Sequence, residues 1–425
     1  MRSYSETLEY LYSRLPMFTR IGGAAFKKDL SNTLALCEVL HQPQNKFKSI
    51  HIAGTNGKGS SSHMLAAIFQ KAGYKTGLYT SPHLRDFRER IRINGEMISE
   101  AEVIHFTHQL EWDIERIEPS FFELTVAMAF DHFARHRVDM AIIETGMGGR
   151  LDSTNVIQPE LSLITNIGFD HMEFLGDTLP LIAGEKAGII KANTPVVISK
   201  TQDETESVFR RKAKELNAPI SFADQVWKPL EWHREPEHQT FRYIRESEAE
   251  ALVLRLDLMG TYQASNLPGV LETWYQLKET YSLSRNALQE GLASVQRLTG
   301  LMGRWQTLGQ SPKIICDTGH NEDGIKEILS MLEKEVFSQL HLVIGMVRDK
   351  EIGKILKLLP VSAKYYFTQA NIPRALPVEE LMEQAKTFGL QGNPYHKVSE
   401  ALEAAKQSAS ADDLIFIGGS TFVVA

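Results

Sequence analysis

A short glycine-rich segment combines the residue types that bind phosphate. The mainly apolar residues 50–53 run directly into Gly-Thr-Asn-Gly-Lys-Gly-Ser at residues 54–60. Glycines allow backbone N–H groups to turn towards an anion, Lys58 adds a positive charge, and a helix starting at about Ser60 would direct its positive end to the same place. The pattern therefore predicts a strand, a triphosphate-binding loop and a helix.

The spacing of this loop differs from that of the common P-loop. In the common form, four residues separate the first glycine from the Gly-Lys pair, and Ser or Thr follows the lysine. Here two residues separate Gly54 from Gly57, and Gly59 follows Lys58. A glycine-rich turn with one lysine is often an ordinary loop, but the flanking strand and helix favour the phosphate interpretation.

Short apolar strands alternate with helical patterns through the first two-thirds of the chain. Strands are predicted at residues 75–79, 140–143 and 161–165, and helices at residues 64–70 and 121–134. Such alternation predicts an α/β fold with a mainly parallel sheet that is covered by helices on both faces.

Two further regions follow. Alternating apolar and polar residues from about 219 to 258 predict a small antiparallel sheet. A second α/β series comes after them, with strands at residues 314–317, 342–345 and 414–417. We predict a central domain with the P-loop at residues 1–297 and a Rossmann-like domain at residues 298–425.

Composition limits the kind of partner. The chain has 425 residues, enough for two domains, and its net charge is −7 with no block of like charges. We therefore expect neither nucleic acid nor a membrane as partner, and no apolar run approaches the length of a membrane span. Cys37 and Cys316 lie in apolar stretches far apart, so we expect two buried thiols in a reducing cytoplasm.

Four candidate metal ligands follow predicted strands. They are Ser81, Glu144, Asp170 and His171. Because the carboxyl ends of parallel strands share one edge with the phosphate loop, these side chains could meet beside bound phosphates and hold Mg²⁺. Magnesium prefers oxygen, so His171 is the weaker ligand on chemistry alone. Taken singly, each residue is more often structural, as a core histidine or a glutamate paired with arginine.

Several segments, in order along the chain, resemble the folylpolyglutamate synthase/dihydrofolate synthase family within the Mur ligase superfamily. They lie at residues 54–60, 80–83, 144–155, 185–191, 303–306 and 317–321. The resemblance extends over most of the chain and is weakest in the predicted antiparallel region.

The resemblance implies an ATP-dependent ligase. It would phosphorylate the carboxylate of dihydropteroate or of a reduced folate, and the amine of L-glutamate would then attack the acyl phosphate. Both acceptors are expected because residues 148–155 are similar to the bacterial bifunctional form. The alternatives are an enzyme with only one of the two activities, or a Mur-type amide ligase that acts on another carboxylic acid.

The same resemblance implies roles for individual residues. The nucleotide would be bound by Gly54, Thr55, Asn56, Gly57, Lys58, Gly59, Ser60, Asn266, Arg304 and Asp317. Magnesium, as one or two ions, would be bound by Ser81, Glu144 and His171. Lys58, Lys186 and His320 would take part in catalysis, with Lys186 carbamylated; from its neighbours alone, Lys186 would be a surface lysine beside a carboxylate.

The acceptor would lie near two further segments. They contain Phe122, Glu123, Leu151, Asp152 and Ser153. An aromatic ring can stack on a flat pterin, and a carboxylate can accept hydrogen bonds from its N–H groups. The residues alone are equally consistent with a core phenylalanine and a turn aspartate. The family is mostly monomeric, so a monomer is expected.

Three segments depart from the family pattern. Residues 317–321 read Asp-Thr-Gly-His-Asn instead of Asp-Gly-Ala-His-Asn, Tyr262 stands where histidine is frequent, and Met302 stands where proline is frequent. None of these changes removes a charged ligand, so contacts around the nucleotide are expected to differ only in detail.

Overall fold

A computed structural model describes residues 2–17, 29–348 and 352–425. The chain forms two compact units. The first comprises Met1–Leu258 and Gln263–Leu301, and the second comprises Met259–Tyr262 and Met302–Ala425. The first unit thus ends four residues after the predicted boundary at 297, and the short segment Met259–Tyr262 belongs to the second unit.

The first unit is built on an eight-stranded sheet of order β4-β3-β2-β5-β1-β6-β7-β8. Its strands are β1 Lys48–Ala53, β2 Thr76–Tyr79, β3 Ile91–Ile93, β4 Glu96–Met97, β5 Met140–Glu144, β6 Leu161–Ile164, β7 Val196–Ile198 and β8 Ile220–Phe222. Strand β1 pairs in parallel with β5 on one side and β6 on the other. Among the described strands of this sheet, the only antiparallel pairs are β2–β3 and β3–β4, at one edge.

Helices cover both faces of this sheet, as predicted. They are α1 Tyr4–Arg14, α2 Ser31–Val39, α3 Lys58–Lys71, α4 Glu100–Gln109, α5 Glu111–Ile117, α6 Phe121–Arg135, α7 Met172–Leu175, α8 Leu179–Lys186, α9 Asp203–Glu215, α10 Ala223–Val226, α11 Gln263–Leu277, α12 Arg285–Leu292 and α13 Val295–Thr299. In β5, Ile142 packs in the core beneath α3, whereas Ile143 packs in the core beneath α6. Successive side chains of a strand point to opposite faces, which explains why this strand is apolar up to its last residue, Glu144.

A three-stranded antiparallel sheet follows, in the order β11-β10-β9. Its strands are β9 Trp227–Arg234, β10 Gln239–Arg245 and β11 Leu252–Leu256. Strand β11 alternates buried and exposed residues, so the predicted small antiparallel sheet is confirmed. Its predicted start at about residue 219 is wrong, because β8 at Ile220–Phe222 pairs in parallel with β7. A three-residue strand is too short to show a period, and its pairing is decided by tertiary contacts.

The second unit contains a six-stranded sheet of order β12-β13-β17-β14-β15-β16. Its strands are β12 Gln306–Gln310, β13 Lys313–Cys316, β14 Leu340–Ile344, β15 Lys364–Thr368, β16 Gly392–Tyr395 and β17 Leu414–Gly418, and its helices are α14 Glu322–Leu332, α15 Ile352–Leu358, α16 Val378–Lys386, α17 Val398–Ser408 and α18 Thr421–Val424. Strand β12 is antiparallel to β13, and the other pairs are parallel.

Two further expectations concern the chain as a whole. Cys37 and Cys316 are free, buried thiols, as predicted. Among the described residues, no helix is both long enough and apolar enough to cross a bilayer.

Candidate active site

The segment between β1 and α3, residues 54–57, is called the glycine loop. Helix α3 begins at Lys58, two residues before the predicted start, and Gly57 precedes it in the left-handed conformation with φ of 86°. A Cβ atom on Gly57 would lie 2.2 Å from Oδ1 of Asn266, and one on Gly54 would lie 1.8 Å from Oγ1 of Thr165. Both glycines are therefore required by close packing, and Gly57 also by its backbone conformation.

Hydrogen bonds fix the glycine loop to the residues that follow β6. The N–H of Thr55 donates to the carbonyl of Asn166 at 2.9 Å, and the N–H of Asn56 donates to Oδ1 of Asn166 at 2.8 Å. The hydroxyl of Thr165 donates to the carbonyl of Asn56 at 2.6 Å. Thr165 and Asn166 were not among the predicted site residues. Their position directly after a strand that neighbours β1 is the signal that could have identified them.

Two lysine side chains meet at one carbonyl of the loop. The Nζ atoms of Lys58 and Lys186 lie 3.0 and 2.8 Å from the carbonyl oxygen of Gly54. Lys186, the last residue of α8, is 4% exposed. Burial, helped by the nearby charge of Lys58 and opposed by Asp170 and Asp152, lowers the pKa of Lys186 to about 7. Near neutral pH a large fraction of this amine is therefore uncharged and nucleophilic.

A second connection joins the first turn of α3, which contains Gly59 and Ser60, to α11. Nε2 of Gln263 donates to the buried hydroxyl of Ser60 at 3.1 Å, and Nδ2 of Asn266 donates to Oε1 of Gln263 at 2.7 Å. Asn266, a predicted nucleotide-binding residue, is thus held against the glycine loop, although it is more than 200 residues away in sequence. Gln263 is a further member of this site that sequence reasoning missed.

The predicted metal ligands follow neighbouring strands. Glu144 is the last residue of β5 and is 4% exposed, and its Oε2 accepts a hydrogen bond from the N–H of Ser81 at 3.3 Å. Strands β2 and β5 are parallel neighbours, which explains why these two residues meet. His171, in the segment after β6, lies beside Asp170, with Nε2 3.8 Å from Oδ2.

Phe122 and Glu123 lie in the first turn of α6. Oε2 of Glu123 accepts from the N–H of Ser120 at 2.6 Å, and the N–H of Glu123 donates to Oγ of Ser120 at 3.2 Å. This capping box explains why the helix starts here. The ring of Phe122 lies over Gly146, where a Cβ atom would approach it to 2.4 Å. Glu123 is therefore occupied in capping α6, and Phe122 covers the chain that follows β5.

The segment after β5, residues 145–152, is called the aspartate loop. Oδ2 of Asp152 accepts from the N–H groups of Gly146 and Met147 at 2.8 and 2.9 Å. Oδ1 accepts from the N–H and hydroxyl of Thr154 at 3.0 and 2.5 Å. Burial raises the pKa of Asp152, although these hydrogen bonds oppose the shift. The carboxylate thus binds donors of its own chain; Leu151 is half-buried beside it, and Ser153 begins a 3-10 turn.

In the second unit, Asp317 directly follows β13. Its Oδ2 accepts from the hydroxyl of Tyr262 and the N–H of Trp305, both at 2.7 Å, and its Oδ1 accepts from the N–H of Gly319 at 2.8 Å. Burial raises the pKa of Asp317, and the nearby guanidinium of Arg304 opposes this. Tyr262, which departs from the family pattern, therefore has a definite role in holding Asp317.

The remaining predicted residues of this unit surround Thr318. Arg304 donates through Nη1 to the hydroxyl of Thr318 and to the carbonyl of its neighbour Gly303. Nδ1 of His320 lies 3.0 Å from the carbonyl oxygen of Thr318. Asn321 caps α14 by accepting from the N–H of Gly324 at 2.9 Å. Arg304, His320 and Asp317 are thus grouped at the carboxyl end of β13.

The first unit has features that fit a nucleotide and a divalent cation. The glycine loop leaves no room for side chains at Gly54 and Gly57, and it leads into the N-terminus of a 14-residue helix, where N–H groups lack acceptors within the helix. Lys58 supplies positive charge at the same place. Glu144, a buried carboxylate, and the Ser81 hydroxyl are oxygen donors of the kind that Mg²⁺ prefers.

Comparison with protein families identifies the class. Residues 52–273 match the Mur ligase middle domain, and residues 303–421 match the Mur ligase glutamate ligase domain. The chain belongs to the Mur ligase family. It is a ligase of that family, and the resemblance drawn from its motifs is confirmed.

Individual relatives extend this result. The dihydrofolate synthase/folylpolyglutamate synthase of Bacillus subtilis is 30% identical over 99% of this chain and 97% of its own length. Escherichia coli FolC in complex with DHPP and ADP has a TM-score of 0.85 and 27% identity, covering 100% of this chain and 96% of that one. A bifunctional folylpolyglutamate synthase/dihydrofolate synthase with Mn, AMPPNP and L-glutamate bound has a TM-score of 0.83 and 27% identity, covering 100% and 97%.

Proposed function

We propose that this protein is an ATP-dependent ligase that joins L-glutamate to dihydropteroate and to reduced folates. The carrying observation is the glycine loop, where Lys58 and Lys186 both reach the carbonyl of Gly54 beside the N-terminus of α3. The ammonium group of Lys58 and the N-terminus of α3 at one point suit a highly charged anion such as a triphosphate. The identities of the carboxylic acid and of the amine are inferred from the activities and ligands named for the relatives.

The proposed chemistry needs activation of a carboxylate. ATP supplies a phosphoryl group that converts the acceptor carboxylate into an acyl phosphate, from which the amine of glutamate displaces phosphate to form the amide. A free carboxylate resists attack because it is negatively charged and its leaving group would be oxide. The protein contributes position and electrostatics: N–H groups at the start of α3 and Lys58 would hold the phosphates and offset their charge.

We assign the divalent cation, which is Mg²⁺ as one or two ions, to Glu144 and Ser81, with His171 as a weaker ligand. Glu144→Gln removes the buried charge while keeping the acceptor oxygen that binds the N–H of Ser81. We expect the Mg²⁺ concentration for half-maximal turnover to rise by roughly tenfold, since one charged ligand is lost. Glu160→Gln is the control, because Glu160 directly precedes β6 and so lies at the opposite end of the parallel strands from Glu144. An unchanged metal requirement in Glu144→Gln would contradict the assignment.

Lys186 is proposed to be carbamylated. Its neutral amine would attack CO₂, forming an N–C bond and releasing a proton, which converts the amine into an anionic oxygen ligand. The support is its burial and its pKa of about 7. Incubation with ¹³C-bicarbonate should give a carbamate NMR signal that is absent from Lys186→Met. Lys191→Met is the matched control, because burial also lowers the pKa of Lys191; an identical signal in Lys186→Met would rule the modification out.

The acceptor and nucleotide contacts are assigned unit by unit. Phe122 and the chain at Leu151 and Ser153 would line the acceptor pocket, with Asp152 holding the aspartate loop in shape through its four hydrogen bonds. Asn266 would contact the nucleotide from the first unit. In the second unit, the family resemblance assigns Arg304 and Asp317 to the nucleotide and His320 to catalysis.

Mass spectrometry of the products tests the function directly. The purified protein is incubated with ATP, Mg²⁺ and L-glutamate, and separately with dihydropteroate or tetrahydrofolate. Addition of one glutamyl unit to both acceptors is the expected result. Addition to only one acceptor would identify a dihydrofolate synthase or a folylpolyglutamate synthase, and addition to neither would leave a Mur-type ligase of another carboxylic acid.

The assembly and compartment are also proposed. We infer a monomer, as the family resemblance implies, that acts on small molecules. We also infer a cytoplasmic location, since Cys37 and Cys316 are free thiols suited to a reducing compartment. Light scattering on the purified protein should give the mass of one chain, 47.9 kDa. A mass of twice this value would contradict the monomer.

A further inference from the structure

Two histidines and a glutamate converge near the C-terminal end of α6. His132 and His136 are four residues apart, which places them on one face of the helix and its cap, and Glu102 lies in the first turn of α4. Nε2 of His136 lies 2.6 Å, and Nδ1 of His132 lies 3.2 Å, from the same oxygen, Oε1 of Glu102. The three ligand atoms all lie within 4.8 Å of one another.

The Nδ1 atom of His132 has an unusual environment. It is buried, and in the part of the chain that the structure describes it has no hydrogen-bond partner. It lies 3.2 Å from Oε1 of Glu102, within ion-pair distance, but the angles are not those of a good hydrogen bond. Buried polar atoms are rarely left in this state. A metal cation lying to one side of the line that joins Nδ1 of His132 and Oε1 of Glu102 would bind both atoms.

The other oxygen of Glu102 is already engaged. Oε2 accepts hydrogen bonds from the hydroxyl and the N–H of Ser99, at 2.7 and 3.2 Å, in the capping box that starts α4. These bonds orient the carboxylate so that Oε1 is directed at the two imidazoles. A carboxylate held in this way by a second group is typical of ligands in metal sites.

We propose that Glu102, His132 and His136 bind a divalent transition-metal ion, for which Zn²⁺ is the best match, and that the ion ties α4 to α6. Two imidazole nitrogens and one carboxylate oxygen form a ligand set that suits zinc, with water as the fourth ligand. Zinc bonds of about 2.0–2.1 Å separate tetrahedral ligands by about 3.3 Å. The His132–Glu102 distance of 3.2 Å already matches this, and the His136–Glu102 contact of 2.6 Å must lengthen.

This site is separate from the candidate active site. His132 lies 11 residues after Phe121, where α6 begins, which corresponds to about 16 Å along a helix. Its ligands include none of the residues assigned to the nucleotide, magnesium or acceptor. The two sites would also select different ions, because Mg²⁺ prefers oxygen ligands and Zn²⁺ accepts imidazole readily. The proposal therefore does not depend on the proposed ligase activity.

Zinc titration of the metal-free full-length protein tests the site. Saturating Mg²⁺ is present throughout so that the oxygen-rich site is occupied, and affinity is measured by competition with a chromophoric chelator. The wild type should bind one Zn²⁺ at this site, and Co²⁺ in its place should show the visible absorption of a tetrahedral complex. His136→Gln and Glu102→Gln should each weaken binding by at least about tenfold. Both variants avoid the fully buried His132, so the fold should persist, as circular dichroism would check.

His108→Gln is the matched control, since His108 is exposed on the same helix as Glu102. It should bind Zn²⁺ like the wild type and show the same rise in melting temperature when zinc is added, whereas His136→Gln should lose this rise. Equal zinc affinity in the wild type, His136→Gln and Glu102→Gln would overturn the proposal. So would a wild-type protein that binds no zinc under these conditions.

Discussion

The glycine loop and the aspartate loop follow neighbouring strands of one sheet, but they use their polar groups in opposite ways. In the glycine loop, the side chains of Lys58 and Lys186 reach a backbone carbonyl, and the loop opens into the N-terminus of α3. In the aspartate loop, Asp152 collects four donors from its own chain. The first therefore offers a ligand the positive charge of Lys58 and of the helix terminus, and the second satisfies its charge internally.

This difference shows that a charged residue in a glycine-rich loop has two distinct uses. A lysine near a helix terminus remains available to an anion, whereas a carboxylate surrounded by N–H groups maintains the loop. Changes in the glycine loop should thus affect turnover first, and changes in the aspartate loop should affect stability first.

Lys58→Ala should produce the largest effect. Removing one positively charged contact to the transferring phosphoryl group should lower ligase turnover by about 10²–10³-fold, measured as ATP consumption that depends on glutamate and acceptor. The urea unfolding midpoint should change little. Lys71→Ala, at the other end of the same helix, is the control and should retain activity. Near-normal turnover of Lys58→Ala would remove the glycine loop from the mechanism.

Asp152→Asn should mainly lower stability. The asparagine amide would direct an N–H donor at backbone N–H groups that donate to the carboxylate in the wild type. Because two donors then face each other, the free energy of unfolding should fall by about 1–3 kcal/mol in urea denaturation. Asp177→Asn, which changes an exposed aspartate of the same unit, should stay within about 0.5 kcal/mol of the wild type. An unchanged stability combined with a higher KM for the acceptor would instead indicate a direct contact between Asp152 and the acceptor.

Lys186→Met should change how stability depends on pH. The folded-state pKa of about 7 lies below the ordinary 10.5, so between these values the unfolded chain binds more protons than the folded one. Wild-type stability should therefore rise with pH in this window relative to the variant, by at most about 1.4 kcal/mol per pH unit. Unfolding is measured in buffers free of CO₂ at several pH values. Parallel pH profiles of the two proteins would show that the amine is not buried as described.

Glu123→Gln should have the smallest effect. Glutamine can replace glutamate in a capping box, so the free energy of unfolding should change by less than about 0.5 kcal/mol. If Glu123 acts only as a cap, the KM for the acceptor should also stay unchanged. A large rise in this KM at unchanged stability would assign Glu123 to acceptor binding, as the family resemblance implied.

Much of the fold followed from local patterns. The strands around residues 140–143 and 161–165 and the helix from Phe121 were predicted to within one or two residues, because apolar runs and a capping box act over short distances. The three-residue strand β8 was missed, since its pairing with β7 is a long-range contact. For the same reason, local patterns did not identify the residues that hold the glycine loop and the start of α3, which are Thr165, Asn166 and Gln263.

The sequence by itself determined the α/β architecture, the glycine loop and the family, because residue periodicity, glycine spacing and ordered motifs are properties of the linear chain. Only the tertiary structure decided which charged groups are available. It placed hydrogen-bond donors around Asp152. It also placed the amine of Lys186 at the carbonyl of Gly54, and the carboxylate of Glu102 against His132 and His136. Hydrogen-bond partners and burial set the charge of such groups, and both depend on residues that are distant in sequence.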